Sequence, residues 1–339
     1  MTAVLVPQAP EAGAERRART PADDALPAAV GGQRVRRCEK LIAAASVLSA
    51  LVMVGHAWIP NGYGNLGSLV ETFLPWWGLT APALLALAAV RRSAAAGAAA
   101  LLPAVVWCSL FGGVALVDKR SEGGDLTVVT HNVHDENPDP DGTARALAAT
   151  GADLLALEEL SPRRAPAYES ALAGSYAYHS VQGTVGLWSK YPLRDVEPVA
   201  IMPWTRALRA TADTPKGPVA VYAAHLASVR VRPDSGFAAS WRNESARMLA
   251  DALRAEALPR VVVVGDFNGT TDDSALRPVT SGLRSAQEEA GDGFGFTWPA
   301  AFPAARIDQI LVKGITPAAA WTLPPTGSDH LPVAATLRL

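Results

Sequence analysis

The chain divides by its apolar pattern into two parts. Three long apolar runs come first, at residues 41–60, 67–90 (interrupted by Glu71) and 94–117. Each is about 20 residues or more, enough at ~1.5 Å per residue to cross a ~30 Å hydrocarbon core. Buried Ala-rich helices of a soluble bundle would give similar runs, but three in one stretch favour spans. The first run begins some way into the chain and two more follow it, which favours an anchor over a cleavable signal peptide. Residues 34–120 therefore read as a membrane domain of three helices. Residues 1–33, rich in Ala, Pro, Gly and charge with no sustained apolar period, read as a disordered cytoplasmic tail.

From residue 121 the pattern changes to short β-rich runs, at 126–130, 153–157, 185–188, 207–212, 219–224, 261–264, 307–312 and 333–337. Helical spacing appears at 141–150 and at 238–256, where Ala246, Leu249, Ala250 and Leu253 recur on one face. About ten short strands with few helices fit a two-sheet α/β sandwich better than a doubly wound parallel sheet. Residues 121–339 are accordingly expected to form one domain.

Charge adds an orientation. Residues 1–120 hold eleven Lys/Arg against seven Asp/Glu, and the remainder nineteen against twenty-five. Arg34, Arg36, Arg37 and Lys40 precede the first run, and Arg91–Arg92 separate the second from the third. The excess of positive charge on cytoplasmic flanks places both groups inside. Three crossings then put residues 121–339 outside the cell membrane, with Lys119 and Arg120 outvoted. The acidic remainder lacks the basic surplus of a strong nucleic-acid binder. The two cysteines, Cys38 and Cys108, both lie before residue 121, so no cysteine-based zinc site or disulfide framework is available beyond it.

Polar residues recur where the predicted strands end. They are Asn132, Glu158–Glu159, His225, Asp266 with Asn268, Asp308, and Asp329-His330. Singly, each has a bland reading as a turn residue, a solvated helix start or a satisfied core histidine. Together, hard oxygen ligands with histidines suit Mg²⁺ or Mn²⁺ holding a phosphate, and an Asp–His pair makes a general base near neutral pH.

The ordered blocks Thr-His-Asn-Val, Leu-Glu-Glu-Leu, the strand ending in His225, Gly-Asp-Phe-Asn, Arg-Ile-Asp-Gln-Ile-Leu and Ser-Asp-His-Leu-Pro-Val span 130–333. This set resembles the endonuclease/exonuclease/phosphatase superfamily, which implies a four-layer, DNase I-like α/β sandwich and in-line attack by water. Carried over motif by motif, the resemblance implies Glu159 as principal metal ligand, with Asn132 beside it and Asp329 assisting. It implies Asp266 and Asn268 orienting the nucleophile and contacting phosphate, and His225 stabilising the phosphoryl oxygens. His330 would be the general base, oriented by Asp308. Two positions depart from the pattern. His134 stands where a second carboxylate is common, with Asp135 a substitute, and Glu158 replaces the usual Gln. Joined to three membrane helices, the domain is similar to the VanJ-type membrane proteins associated with teicoplanin resistance. That similarity implies a lipid-linked pyrophosphate substrate, undecaprenyl pyrophosphate; an extracytoplasmic nuclease or a phospholipid or nucleotide phosphodiesterase is the alternative.

Overall fold

The computed structural model describes residues 21–339 except Tyr63, and over residues 21–36 it describes the helix without its side chains. Helix α1 runs Pro21–Gly55. The expected tail is thus helical from Pro21, and its residues 1–20 lie outside the described part. Within α1 and its continuation, Arg37–Trp58 is long and apolar enough to span a membrane.

The second apolar run is not one straight helix. It is α2 (Leu66–Thr72), a 3-10 segment Leu74–Leu79, and α3 (Thr80–Val90), with a 70° bend at the break. The cause is local: Pro75 lacks an amide hydrogen and disfavours α geometry in the residue before it. The broken end is fixed by Trp107, whose indole donates to the Pro75 carbonyl at 2.7 Å. A side chain at Gly78 would strike the same ring. Helix α4 (Ala94–Ala115) is likewise long and apolar enough to span a membrane. The described residues therefore offer two uninterrupted spans, or three if the bent pair counts as one.

The helices pack with a clear polarity. Ile42, Ala88 and Ala96 cluster at one end, beside Lys40 and Arg91–Arg92 in the sequence. Met53, Leu74 and Phe111 cluster at the other, with Phe294 of the following domain. The basic residues thus lie at the end remote from that domain.

Fourteen strands follow. They are β1 (Leu126–Asn132), β2 (Leu154–Glu158), β3 (Tyr178–Gln182), β4 (Val185–Ser189), β5 (Leu193–Pro198), β6 (Ala207–Thr214), β7 (Gly217–Ala224), β8 (Val231–Arg232), β9 (Gly236–Phe237), β10 (Val261–Asp266), β11 (Arg284–Ser285), β12 (Asp308–Lys313), β13 (Thr316–Thr322) and β14 (Val333–Arg338). Twelve of them make two six-stranded sheets, ordered β13-β14-β1-β2-β4-β3 and β11-β12-β10-β7-β6-β5. The period-2 alternation of strands explains their continuous apolar runs. In β10, Val262 and Val264 point between the sheets while Val261 and Val263 point outward. The outer face of that sheet is covered by α7 (Ser240–Ala255) through Ala246, Leu249 and Ala250. On the other sheet, Val129 and Leu155 pack outward under α5 (Pro140–Ala148) and α6 (Ala165–Leu172). The result is helix, sheet, sheet, helix, as expected. Truncating an inter-sheet residue such as Leu154 or Leu187 to Ala costs about 2–5 kcal/mol, because so few atoms can move in to fill the gap.

The two parts of the chain meet through polar contacts. Glu71, wholly buried, accepts hydrogen bonds from the Ser274 amide at 2.8 Å and the Ser274 hydroxyl at 2.9 Å, and its other oxygen lies 2.9 Å from His56 Nδ1. This is why an acidic residue interrupts the second apolar run. Ser68 donates to Asp273 at 3.0 Å, and Arg242 reaches both, at 3.1 and 2.6 Å. Gly64 and Gly236 approach so closely that a Cβ on Gly236 would lie 2.7 Å from the Gly64 Cα. Lys119 and Arg120, which opposed the orientation by charge, are held by the Glu288 carbonyl at 2.7 Å and the Asp292 carboxylate at 3.1 Å.

Candidate active site

Strand pairing brings the scattered polar residues to one place. β1 and β2 are parallel with Asn132 opposite Glu158. β10 and β12 are antiparallel with Asp266 opposite Asp308. β7 runs parallel to β10 and ends one residue before His225. Glu159 and Asn268 leave their strands with positive φ, +60° and +46°. Such a conformation costs a non-glycine residue of order 1 kcal/mol or more and is typical of functional sites. These ends line a cleft of about 750 Å³ containing Glu159, His225, Asp266, Asn268, Asp329 and His330.

Asp266 is the hub. Only 1% exposed, it accepts from Asn132 Nδ2 at 3.0 Å, the Asn268 amide at 2.7 Å and Asn268 Nδ2 at 3.0 Å. Burial raises its carboxyl above the ordinary range, against the pull of His330. His330 Nδ1 lies 2.9 Å from Asp308 Oδ2, and its Nε2 lies 3.9 Å from Asp266. Burial disfavours the imidazolium, but Asp308 and Asp266 outweigh it and raise His330 to about 10. Ser328 ties the strand ends together, donating to the Asn132 carbonyl at 2.6 Å and accepting from the His330 amide at 3.0 Å.

The sequence-predicted residues all reach the site, but with some changes of part. Asn132 is spent on positioning: its amide holds Asp266 and its oxygen accepts from the His134 amide at 3.0 Å. The carboxylate that His134 seemed to remove is supplied beside it. His134, Asp135 and Glu159 offer ligand atoms within 4.8 Å of one another. Asp329 stands one step outside that group, 3.6 Å from His134 Nδ1 and bonded to the Trp298 indole at 3.3 Å. A second group, Asp266, Asp308 and His330, is fully buried. Glu159 is paired with no Lys or Arg among the described residues; His134 and His225 approach it at 3.7 and 3.6 Å, and the Asp135 amide donates to it at 3.4 Å. A carboxylate left free at the mouth of a cleft, with Asp135 beside it, fits a divalent cation.

His225 is neutral. Burial, then Arg206 and His330, push its pKa well below the ordinary value. Its Nε2 faces an Arg206 guanidinium nitrogen that can only donate, so Nε2 is the acceptor. The fixed positive charge beside β7 therefore belongs to Arg206, which also lines the cleft. No motif marks Arg206 in the sequence. Glu158 is wholly buried, bonded by the Thr130 hydroxyl at 2.8 Å and without a partner on its other oxygen. Burial raises its pKa far above normal, with Asp308 and Asp266 adding to the effect. A protonated Glu has the shape of Gln, which explains why it replaces that residue here. Thr72 and Phe73, from the bend in the second apolar run, also line the cleft.

The model of the Endonuclease/Exonuclease/phosphatase family matches residues 129–330. No curated protein sequence matches significantly. Among solved structures, the chain is similar to D. rerio TDP2 complexed with single strand DNA product, with 20% identity over 63% of this chain and 99% of that one, at a TM-score of 0.53. It is similar to an endonuclease/exonuclease/phosphatase from Bacteroides vulgatus, with 17% identity, 64% and 100% coverage and a TM-score of 0.53. A mannosyl-6-phosphatase from Bacteroides thetaiotaomicron gives 16% identity, 63% and 100% coverage and a TM-score of 0.50. These three likenesses concern the fold.

Proposed function

The chain belongs to the endonuclease/exonuclease/phosphatase family, and on that premise we propose that it is a membrane-anchored, divalent-metal-dependent hydrolase of a lipid-linked pyrophosphate, undecaprenyl pyrophosphate, at the outer face of the cell membrane. The observation that carries this reading is the wall of the cleft, where Thr72 and Phe73 of the membrane domain stand with the catalytic residues. A substrate in that cleft is at the bilayer surface. The same recycling chemistry would contribute to glycopeptide resistance.

Glu159, Asp135 and His134 would hold the ion, Mg²⁺ or Mn²⁺, which when bound polarises the phosphoryl oxygens. His330 Nε2 takes a proton from the attacking water while Asp308 holds Nδ1. Asp266, braced by Asn132 and Asn268, orients that water. Its oxygen bonds to the terminal phosphorus as the bond to the bridging oxygen breaks, giving inorganic phosphate and the lipid monophosphate. Arg206 balances charge on the phosphoryl oxygens, a part the resemblance had assigned to His225.

Two results test the reading. Purified protein with Mg²⁺ is expected to release phosphate from undecaprenyl pyrophosphate and to leave plasmid DNA and sphingomyelin largely intact. Efficient cleavage of DNA with no phosphate from the lipid would replace the proposal with a nuclease. A reporter fused after Leu339 is expected to be active only outside the cytoplasm, since the basic residues cluster at the far end of the helices. Activity confined to the cytoplasm would reverse the orientation and remove access to outer-leaflet substrates.

A further inference from the structure

Beside the cleft, on the span side, lies a second recess of about 440 Å³. Its walls come from both halves of the protein: Trp76 and Leu79 of the 3-10 segment, Ala104 and Trp107 of α4, and Phe294 and Phe296 of the catalytic domain. Phe294 and Phe296 stack at 5.0 Å, and Trp76 stacks on Phe296 at 5.7 Å. Both indole N–H groups point away into protein bonds, Trp76 to the Ala304 carbonyl and Trp107 to the Pro75 carbonyl, each at 2.7 Å. What remains is a surface of ring faces and methyl groups, suited to hydrocarbon.

A smaller recess lies between the groove and the cleft, sharing Thr72 with the cleft and Pro75, Phe294 and Phe296 with the groove. Residues three apart eclipse one another in a 3-10 helix, which rises ~2.0 Å per residue. Phe73, Trp76 and Leu79 therefore form one stripe about 12 Å long, and the Trp76 amide bonds to the Phe73 carbonyl at 3.0 Å. Phe73 lines the catalytic cleft, while Trp76 and Leu79 line the apolar groove. Leu79 is 61% exposed.

We propose that this groove seats the hydrocarbon chain of the lipid whose phosphate is hydrolysed in the cleft, with the Phe73–Trp76–Leu79 stripe carrying the chain from one to the other. The inference rests on the lipid-phosphate reading above and adds to it a chain-length selectivity. Its occupant is the substrate's own chain rather than bulk lipid, because the Phe73–Trp76–Leu79 stripe leads from the groove to the wall of the cleft that holds the phosphate.

The test compares undecaprenyl with geranyl pyrophosphate in mixed micelles, for the full-length protein and for Ala104→Trp, which fills the groove. Leu79→Gln is the second variant, at an exposed position where misfolding is not expected. The unmodified protein is expected to show a KM at least tenfold lower for the long chain, and both variants to bring the two KM values together. A diazirine-bearing undecaprenyl monophosphate supplies a readout independent of turnover. It is expected to label 104–108 and 294–296, and to lose that labelling in Ala104→Trp. Equal KM values for both chains, or labelling spread evenly over α1 and α4 and unaffected by Ala104→Trp, overturns the groove. Groove labelling without hydrolysis of either pyrophosphate keeps the chain site and removes the pyrophosphate substrate. Hydrolysis of both without groove labelling does the reverse.

Discussion

His330→Ala is expected to lower kcat by roughly 10²–10⁴-fold, the range for removal of a positioned general base. The residue is held by Asp308 at 2.9 Å and faces Asp266 with its other nitrogen. Asp308→Asn is expected to cost less, because Asp308 orients the ring and does not take the proton. The two variants also differ in their pH profiles. Against burial, Asp308 and Asp266 raise the imidazole to about 10 in the metal-free protein, and a cation bound nearby lowers it again. A base acts only when unprotonated, so kcat/KM climbs with pH through the pKa of His330. Removing the negative charge of Asp308 lowers that pKa, and the climb is expected to move to lower pH in Asp308→Asn. A rate that falls with rising pH over this limb would make His330 a proton donor instead. A silent Asp308→Asn beside a dead His330→Ala would keep the base and dissolve the dyad.

Glu159→Gln is the second large effect. The substitution keeps the shape and removes the anionic ligand. Activity is expected to drop roughly 10²–10³-fold, since Lewis-acid stabilisation is worth several kcal/mol and each 1.36 kcal/mol is a factor of ten. Thermal unfolding is expected to shift little, because Glu159 is half-exposed and makes no Lys or Arg pair among the described residues. EDTA is expected to abolish turnover of the unaltered enzyme, and Mg²⁺ or Mn²⁺ to restore it. Near-normal turnover by Glu159→Gln would move the ion to the buried Asp266, Asp308 and His330 group.

The site was legible in the sequence because its residues sit where strands stop, and strands that are buried on both faces announce themselves as apolar runs. Asp266 follows four valines and a glycine, and Glu159 follows a run buried along its whole length. The strands that escaped notice lie at sheet edges. β3 and β5 are polar and half-exposed, and β13 contains Pro317 with a row of alanines, so neither periodicity nor β-propensity marks them. The second apolar run read as a third continuous span because hydropathy does not register geometry. The break follows from Pro75 and from Glu71's bonds to Ser274, which lies 203 residues away in the chain. Arg206 and Phe73 belong to no motif and enter the site only through the folded packing. Glu158 stands in place of Gln in the sequence, and only its burial shows that the site disfavours its charged form.

The position of Glu71 also imposes an order on biogenesis. His56, fifteen residues earlier, is available to it as soon as α2 leaves the ribosome, but Ser274 is 203 residues downstream. Until that segment has been made and folded, the carboxylate has only one of its two partner residues. A lone acidic group at mid-bilayer depth costs about 2.5–3.5 kcal/mol on insertion scales. The short helix is thereby favoured at the water boundary, where the domain made after it finds its docking partner already in place. The last polar bond to form is the one that closes that domain onto the helices.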